Sequence, residues 1–126
     1  AAGVKVALGQ VDDEDTLRLN YTPQYAGNLV ALNRVPGATG LSWDQAFATI
    51  SSASAEAIGM GGQMGVLKAG AMGDVVIWDG DPLELSSRAE KVIIDGVEQP
   101  LQTRQNRLRD RYKTPTEGAF PKAYDR

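Results

Sequence analysis

The chain has 126 residues, of which 42% are hydrophobic and 23% are charged, so its length and composition are those of one ordinary globular domain. Its net charge of -3 and its pI near 4.9 argue against a nucleic-acid-binding platform. No apolar run approaches the roughly 18 residues that a membrane-spanning helix requires. We therefore expect neither nucleic acid nor a membrane as a partner.

Neither His nor Cys occurs in the sequence. The chain therefore supplies no imidazole base, no thiolate nucleophile and none of the nitrogen or sulfur ligands that zinc sites usually contain. A Ser-His-Asp triad and a complete zinc centre of the usual kind are both excluded for this chain alone. The sequence begins with Ala1-Ala2-Gly3-Val4, without an initiator Met or a basic and apolar leader, as we expect for a mature or truncated chain.

The first third of the sequence predicts a strand, an acidic segment and a helix. Val4 to Leu8 form a short apolar run that predicts a buried strand. The carboxylates of Asp12 to Asp15 predict either a solvated loop at a helix start or a group whose charge is neutralised by a cation or a basic partner. Their spacing is not that of a calcium-binding loop. Thr22 to Asn33 predict a helix with Thr22 as N-cap and Pro23 in the first position. The apolar face of this helix consists of Tyr25, Leu29 and Leu32.

A second helix of about four turns is predicted after a loop over Arg34 to Gly40. Ser42 and Gln45 form a capping box, and Gly59 ends the helical pattern. The core-facing positions recur at three- and four-residue spacing: Ala46, Phe47, Ile50, Ala53, Ala57 and Ile58. No His can activate the hydroxyl residues of this helix, so we interpret them as surface groups. They are Ser51, Ser52 and Ser54.

The Gly-rich segment from Met60 to Met64 is interpreted as a turn, because a phosphate-binding loop carries Gly-Lys-Ser or Gly-Lys-Thr and opens into a helix. Three β-rich runs after it predict a small antiparallel sheet, and Asp95-Gly96 predicts a tight turn. The three runs are Val66 to Lys68, Asp74 to Trp78 and Lys91 to Ile94.

Residues 101–113 are basic, with five positive charges and one negative charge. Their local charge is therefore +4, and the rest of the chain sums to -7, because the whole chain has a charge of -3. We interpret this segment as suited to an acidic surface of a longer protein rather than to nucleic acid. The residues from Thr114 to Arg126 predict an extended tail.

Several stretches, in their order along the chain, resemble the C-terminal third of an amidohydrolase-superfamily enzyme. They are Gly3 to Gly9, Ser54 to Gly59, Met64 to Gly70, Gly73 to Leu83 and Val92 to Val97. The last two are similar to the family's closing sequence, in which an Ala-Asp-Leu-Val-Val strand leads to Pro-Leu and a final Val-X-Gly strand. Arg104 to Tyr112 resemble the Arg-Gln-X-Arg-Leu-X-X-Arg-Tyr tail of the imidazolonepropionase-like branch. The resemblance covers roughly residues 3 to 112.

The resemblance implies an α/β fold: the C-terminal part of a (β/α)8 amidohydrolase barrel plus strands of the flanking small β-sandwich domain. Residues 1–59 would be the end of the barrel, with its last strand and following helices. Residues 60–100 would be the C-terminal strands of the small β-sandwich, and residues 101–126 a basic helical segment and extended tail. Such enzymes hold one or two metal ions, usually zinc, and hydrolyse amide or related C–N bonds through an activated water.

One catalytic residue of such an enzyme would fall in this chain: the Asp after the eighth barrel strand, which orients and deprotonates the metal-bound water. Val4 to Leu8 would be that strand, and Asp12 is then the candidate catalytic residue and metal ligand. Asp13 is the alternative, because Gln10-Val11 intervene where many relatives have Asp directly after Gly-Thr or Ser. Lys5 is interpreted as a structural strand residue rather than a carboxylated lysine. The family's other ligands, mostly His, lie on barrel strands that this chain does not contain.

We accordingly expect a C-terminal fragment of a metal-dependent amidohydrolase, inactive in isolation. A divalent metal, usually zinc, is expected in the full-length enzyme and none on this chain alone. The expected partners are the remainder of the barrel or a second copy in a swapped or tight oligomer, with a small-molecule substrate in the full-length enzyme. The alternative is a free-standing, non-catalytic binding or assembly module of the same fold. Relatives in this branch are often exported.

Overall fold

The computed structural model describes residues 4–9 and 21–113, which form helices and one antiparallel sheet of three strands. The helices are α1 (Thr22–Ala31), α2 (Trp43–Ala48), α3 (Ser52–Ala57) and α4 (Arg104–Lys113), with a 3-10 turn at Leu32–Arg34 directly after α1. The strands are β1 (Val75–Trp78), β2 (Ala89–Ile94) and β3 (Val97–Gln99). In the described part of the chain, no helix is both long and apolar enough to span a bilayer.

Helix α1 confirms the predicted helix, although its start and its buried face differ from the prediction. The N-cap is Tyr21 rather than Thr22, so Pro23 lies within the first turn, where its missing N–H costs no helical hydrogen bond. Ala26 is the buried residue, whereas Tyr25 and Leu32 are 47% and 38% exposed. The face with the smallest side chains turns inward because another segment of the chain approaches α1 closely there.

The capping box predicted at the start of α2 is confirmed. The Gln45 backbone N–H donates to Ser42 Oγ at 3.2 Å, and the Ser42 backbone N–H donates to Gln45 Oε1 at 3.0 Å. These two bonds satisfy donors that a helix N-terminus otherwise leaves without partners. The local sequence therefore determines where this helix begins.

The prediction of one continuous helix up to Ile58 is wrong, because the helix is interrupted between Ala48 and Ser52. Hydroxyl groups at the break bond to backbone carbonyls of the preceding turn: Thr49 Oγ1 donates to Ala46 O at 2.6 Å and Ser51 Oγ to Phe47 O at 2.8 Å. Such bonds compete with the helical pattern and favour its interruption. The redirected α3 leaves Ala57 and Ile58, two predicted core residues, exposed.

The core lies between α1 and α2. Its buried residues are Ala26, Ala46 and Leu83, and the partly buried side chains packed around them are Leu8, Leu29, Val30, Leu41, Phe47 and Ile50. Asn33 closes the connection between the two helices, because its amide donates to Leu41 O at 2.9 Å and accepts from the Gly40 N–H at 3.1 Å. The short Ala side chains on both helices allow their backbones to come close.

The prediction of a buried strand over Val4 to Leu8 is wrong for the described structure. Residues 4–9 have no strand pairing, and Val4 and Val6 are 75% and 50% exposed. The Leu8 N–H donates to Thr49 O at 2.9 Å, which attaches this segment to the end of α2. A strand needs a neighbouring strand for its backbone groups, and none lies beside this segment within the described residues.

The sheet has the order β1-β2-β3 and confirms the predicted pairing of the two longer runs. Asp95 and Gly96 form the predicted tight turn, with φ angles of 49° and 77°, between the paired residues Ile94 and Val97. The prediction that Val66 to Lys68 form the third strand is wrong. The tight turn returns the chain along β2 at once, so Val97–Gln99 takes that place.

Candidate functional site

The two predicted catalytic candidates, Asp12 and Asp13, lie outside the described residues. What the structure describes is the segment that leads to them, residues 4–9. Its last apolar side chain, Leu8, packs against the core between α1 and α2, and its backbone bonds to Thr49. The segment preceding both candidates is therefore held on the helical core.

Lys5 lies in the segment predicted to be a strand, which has no strand pairing in the structure. Its Nζ forms an ion pair with Glu56 Oε2 of α3, and the two side chains are 77% and 43% exposed. An exposed pair of this kind contributes only about 0–1 kcal/mol. Lys5 therefore joins residues 4–9 to α3 in the described structure. A groove of about 300 Å³ lies between these two parts of the chain.

The described residues do not by themselves fit a metal centre. Within residues 4–9 and 21–113, no three acidic side chains lie together in an arrangement that could hold a metal ion. The whole chain has neither His nor Cys, so the usual metal ligands it can supply are carboxylate oxygen atoms. A zinc site that involves this chain would need nitrogen or sulfur donors from elsewhere, because zinc usually takes such ligands.

Other sequence motifs with a chemical interpretation prove to be structural. Ser54 Oγ donates to Thr49 O at 2.6 Å, so its hydroxyl, like that of Ser51, is bonded to the backbone at the helix break. The Gly-rich segment at 60–64 forms turns, as predicted, with Gly62 at a φ of 74°. Neither feature brings a nucleophile and a base together.

A groove of about 310 Å³ lies between α1 and the connection from β1 to β2, and sequence reasoning did not find it. At its edge, Trp43 Nε1 donates to both carboxylate oxygens of Asp81, at 3.0 and 2.9 Å. Asp81 Oδ1 also accepts from the Leu83 N–H at 2.9 Å. An Asp that accepts from the N–H two residues on is a recognisable turn pattern, whereas no local pattern could pair Asp81 with an indole 38 residues away.

Close packing behind this groove holds the connection against α1. Leu83 is only 7% exposed and belongs to the core with Ala26 and Ala46. A Cβ on Gly27 would lie 2.5 Å from the Leu83 carbonyl oxygen, which is closer than a real Cβ contact. The connection that leaves β1 therefore enters the helical core, and the groove is a structural junction between helices and sheet.

The basic segment is helical over α4 and begins at Thr103, whose Oγ1 accepts from the Asn106 N–H at 3.1 Å. In the described part of the chain, α4 packs against no other helix or strand. Arg109 forms an ion pair with Asp110 at 2.9 Å, and the Arg111 guanidinium lies 5.6 Å from the centre of the Tyr112 ring. The predicted tail, from Thr114 to Arg126, lies outside the described residues.

Comparison with known proteins gives a consistent family assignment. A model of the amidohydrolase family matches residues 2–98. The amidohydrolase tasK of Hapsidospora irregularis is 42% identical over 60 residues, which are 48% of this chain and 6% of that relative. An amidohydrolase from Thermotoga maritima MSB8, known from a crystal structure, is similar with a TM-score of 0.63 and 26% identity over 76% of this chain and 23% of its own. The chain thus spans less than a quarter of either protein, and over the greater part of its length it belongs to the amidohydrolase family.

Proposed function

We propose that this chain is the C-terminal part of a longer metal-dependent amidohydrolase that hydrolyses amide or cyclic amide C–N bonds. The observation that carries the proposal is the unequal coverage in the structural match, because 76% of this chain corresponds to 23% of the Thermotoga amidohydrolase. A small part of a larger fold is not expected to contain a whole active site. The tail over Arg104 to Tyr112 supports a place in the imidazolonepropionase-like branch.

The proposed place in the fold is the end of a (β/α)8 barrel together with strands of a flanking small β-sandwich. Residues 4–9 lie on the helices and leave Val4 and Val6 mostly exposed, which suits a segment with further strands beside it in the longer protein. All four residues of β1 are apolar although β1 is an edge of the described sheet. Strands that are apolar throughout are typical of sheets covered on both faces.

The chemistry assigned to this chain is that of one carboxylate. A divalent metal, zinc in the usual case, would supply a Lewis acid that lowers the pKa of water towards neutrality. The Asp12 carboxylate, or alternatively that of Asp13, would orient the attacking water and accept its proton. The attachment of Leu8 to Thr49 supports this role, because it fixes the backbone shortly before Asp12. The remaining ligands would come from parts of the protein outside this chain, so the chain alone would be inactive.

A free-standing, non-catalytic binding or assembly module is the second candidate function. It is compatible with a described part that offers no cluster of metal donors, which is also what the first proposal expects of this chain alone. The two proposals differ in the length of the encoded protein and in whether that protein hydrolyses amides at all, so one set of experiments decides between them.

The experiment is to express the complete open reading frame that encodes this chain. Amine or ammonia release is then measured from N-acyl amino acids, dipeptides and cyclic amides, before and after treatment with dipicolinate. We expect hydrolysis that the chelator abolishes and zinc restores. Asp12→Asn should lower kcat by about a hundredfold or more, whereas the matched neighbour Asp13→Asn should retain activity. If instead Asp13→Asn is the inactive variant, the alternative assignment holds.

The 126-residue chain alone provides the complementary measurement. After dialysis against zinc, elemental analysis should find no stoichiometric metal, and the chain should hydrolyse none of the amides. The proposal would be contradicted by a reading frame that encodes only these residues, or by a rate of hydrolysis that the chelator does not lower. One bound zinc per chain, lost in Asp12→Ala, would favour the free-standing module.

A further inference from the structure

Thr49, at the interruption between α2 and α3, is the polar residue that the described part of the chain buries, with only 3% of its surface exposed. Its hydroxyl is satisfied within its own turn, where Oγ1 donates to Ala46 O at 2.6 Å. A buried backbone carbonyl also needs a partner, because leaving it without one costs free energy. The donors that reach Thr49 O are therefore part of what holds this region together.

Two donors from different parts of the chain reach the Thr49 carbonyl oxygen. In a continuous helix this oxygen would accept from the backbone N–H four residues later. At the interruption it accepts from the Leu8 N–H at 2.9 Å and from Ser54 Oγ at 2.6 Å. Both distances lie in the usual range for hydrogen bonds of their kind. One oxygen atom thus joins residues 4–9 to α2 and to α3.

The two bonds to this oxygen support each other. A carbonyl oxygen has two lone pairs, so the Leu8 N–H and the Ser54 hydroxyl do not compete for it. Ser54 belongs to the helical backbone of α3, and its hydroxyl is a fixed donor that holds the Thr49 peptide group in the orientation that also accepts from Leu8. Removal of the hydroxyl frees that peptide group to turn, which weakens the bond from Leu8.

The attachment through Leu8 matters because the other contacts of residues 4–9 are weaker or less directional. The segment pairs with no strand among the described residues. The ion pair of Lys5 with Glu56 is exposed and contributes little. The Leu8 side chain packs against the core, but apolar packing is not directional. The Leu8 N–H is thus the group that fixes the orientation of this backbone.

We infer that Ser54 is a positioning residue, which fixes residues 4–9 on the end of α2 through the Thr49 carbonyl. This role rests on the proposed function, because residues 4–9 lead to the catalytic candidates Asp12 and Asp13. Ser54 is not itself a catalytic residue, since its hydroxyl is donated to Thr49 O. Loss of this bond loosens the backbone shortly before Asp12, and small displacements of a reacting group lower the rate of the chemical step.

Hydrogen exchange of the Leu8 amide tests the inference directly, in the complete protein that the reading frame encodes. Mass spectrometry of the peptic peptide with residues 4–9 measures it. Ser54→Ala should speed this exchange about fivefold, as expected for the loss of one supporting hydrogen bond. Ser51→Ala is the matched control and should leave the exchange unchanged, because the Ser51 hydroxyl bonds to Phe47 O at the same interruption. Circular dichroism verifies that both variants remain folded.

The kinetics of amide hydrolysis by the same protein supply a second readout. Ser54→Ala should lower kcat by about threefold or more and leave KM within about twofold, because positioning affects the chemical step. Ser54→Thr keeps the hydroxyl and should restore both the slow exchange of the Leu8 amide and most of kcat. Ser51→Ala should retain the unaltered kcat. A residue that only stabilised the fold would not produce this split between kcat and KM.

The outcomes distinguish a failure of this inference from a failure of the proposed function. Equal exchange of the Leu8 amide in Ser54→Ala and Ser51→Ala would overturn the inference alone. So would an unaltered kcat of Ser54→Ala in a protein that hydrolyses amides. If the unaltered protein hydrolyses none of the amides, the proposed function fails, and the exchange of the Leu8 amide then decides by itself whether Ser54 holds residues 4–9.

Discussion

Replacement of Leu83 by Ala tests the junction between the helices and the sheet. Leu83 is 7% exposed and belongs to one core cluster with Ala26 and Ala46, which are fully buried. Truncation of such a Leu removes buried apolar surface and leaves a cavity that rigid backbone cannot fill, which costs about 2–5 kcal/mol. Gly27 lies too close to the Leu83 backbone for the site to close further. We therefore expect a loss of about 3 kcal/mol in the free energy of unfolding.

Such a loss would be large for this chain. At about 0.05 kcal/mol per residue, the lower end of the usual range, a chain of this length has a stability of only about 6 kcal/mol. Few other buried side chains stabilise the core, since the buried apolar residues of the described part are three alanines and Leu83. Leu83→Ala should therefore remove about half of the stability and lower the midpoint of urea unfolding accordingly.

The assay is urea unfolding followed by the fluorescence of Trp43, whose indole bonds to Asp81 beside the junction. The chain has two tryptophans, so Trp78→Phe is the background in which Trp43 reports alone. Leu85→Ala is the matched control, because Leu85 lies two residues further along the same connection and is 76% exposed. The reasoning is refuted if the two Leu→Ala variants unfold within about 0.5 kcal/mol of each other.

Two further predictions concern backbone geometry and capping. Gly65→Ala should destabilise the chain by about 2 kcal/mol or more, because its Cβ would lie 2.6 Å from Ser51 O and its φ is 70°. Gly62 has a similar φ of 74° and open space around it, so Gly62→Ala should cost only about 1 kcal/mol. Equal losses of stability in thermal unfolding would contradict the steric argument. Ser42→Ala removes the oxygen that accepts from the Gln45 N–H and should lower the free energy of unfolding in urea by about 1 kcal/mol. Ser42→Asp keeps an acceptor and should lower it little. Equal free energies of unfolding for these two variants would show that the cap contributes nothing.

Features set by neighbouring residues were predictable from the sequence. The capping box of Ser42 with Gln45 and the turn at Asp95-Gly96 depend on interactions within four residues, and the structure has both. The pairing of β1 with β2 was also predictable, because both runs are rich in residues that favour strands. The family resemblance came from the order of several short motifs, and the family match over residues 2–98 confirms its coarser form.

Features set by distant residues were not predictable. In the sequence Leu83 lies in a connection between strands, yet in the structure it belongs to the core. Its burial depends on Gly27, some 56 residues earlier, so no local pattern indicates it. Apolar periodicity suggested Tyr25 and Ile58 for the core, but the break at Thr49 redirects the later helix and leaves Ile58 70% exposed. Asp12 and Asp13 remain predictions from family resemblance, since both lie outside the described residues.

The insertion of Leu83 also has a mechanical consequence. Leu8, from the segment that precedes the acidic run, and Leu83, from the connection that leaves the sheet, pack in one small core. Close-packed interiors transmit displacement instead of absorbing it. A force applied to the sheet, for example by a neighbouring domain, would therefore move the helices and residues 4–9 together with it. Leu83 thus couples the sheet to the helices and to residues 4–9, so that these parts would move together.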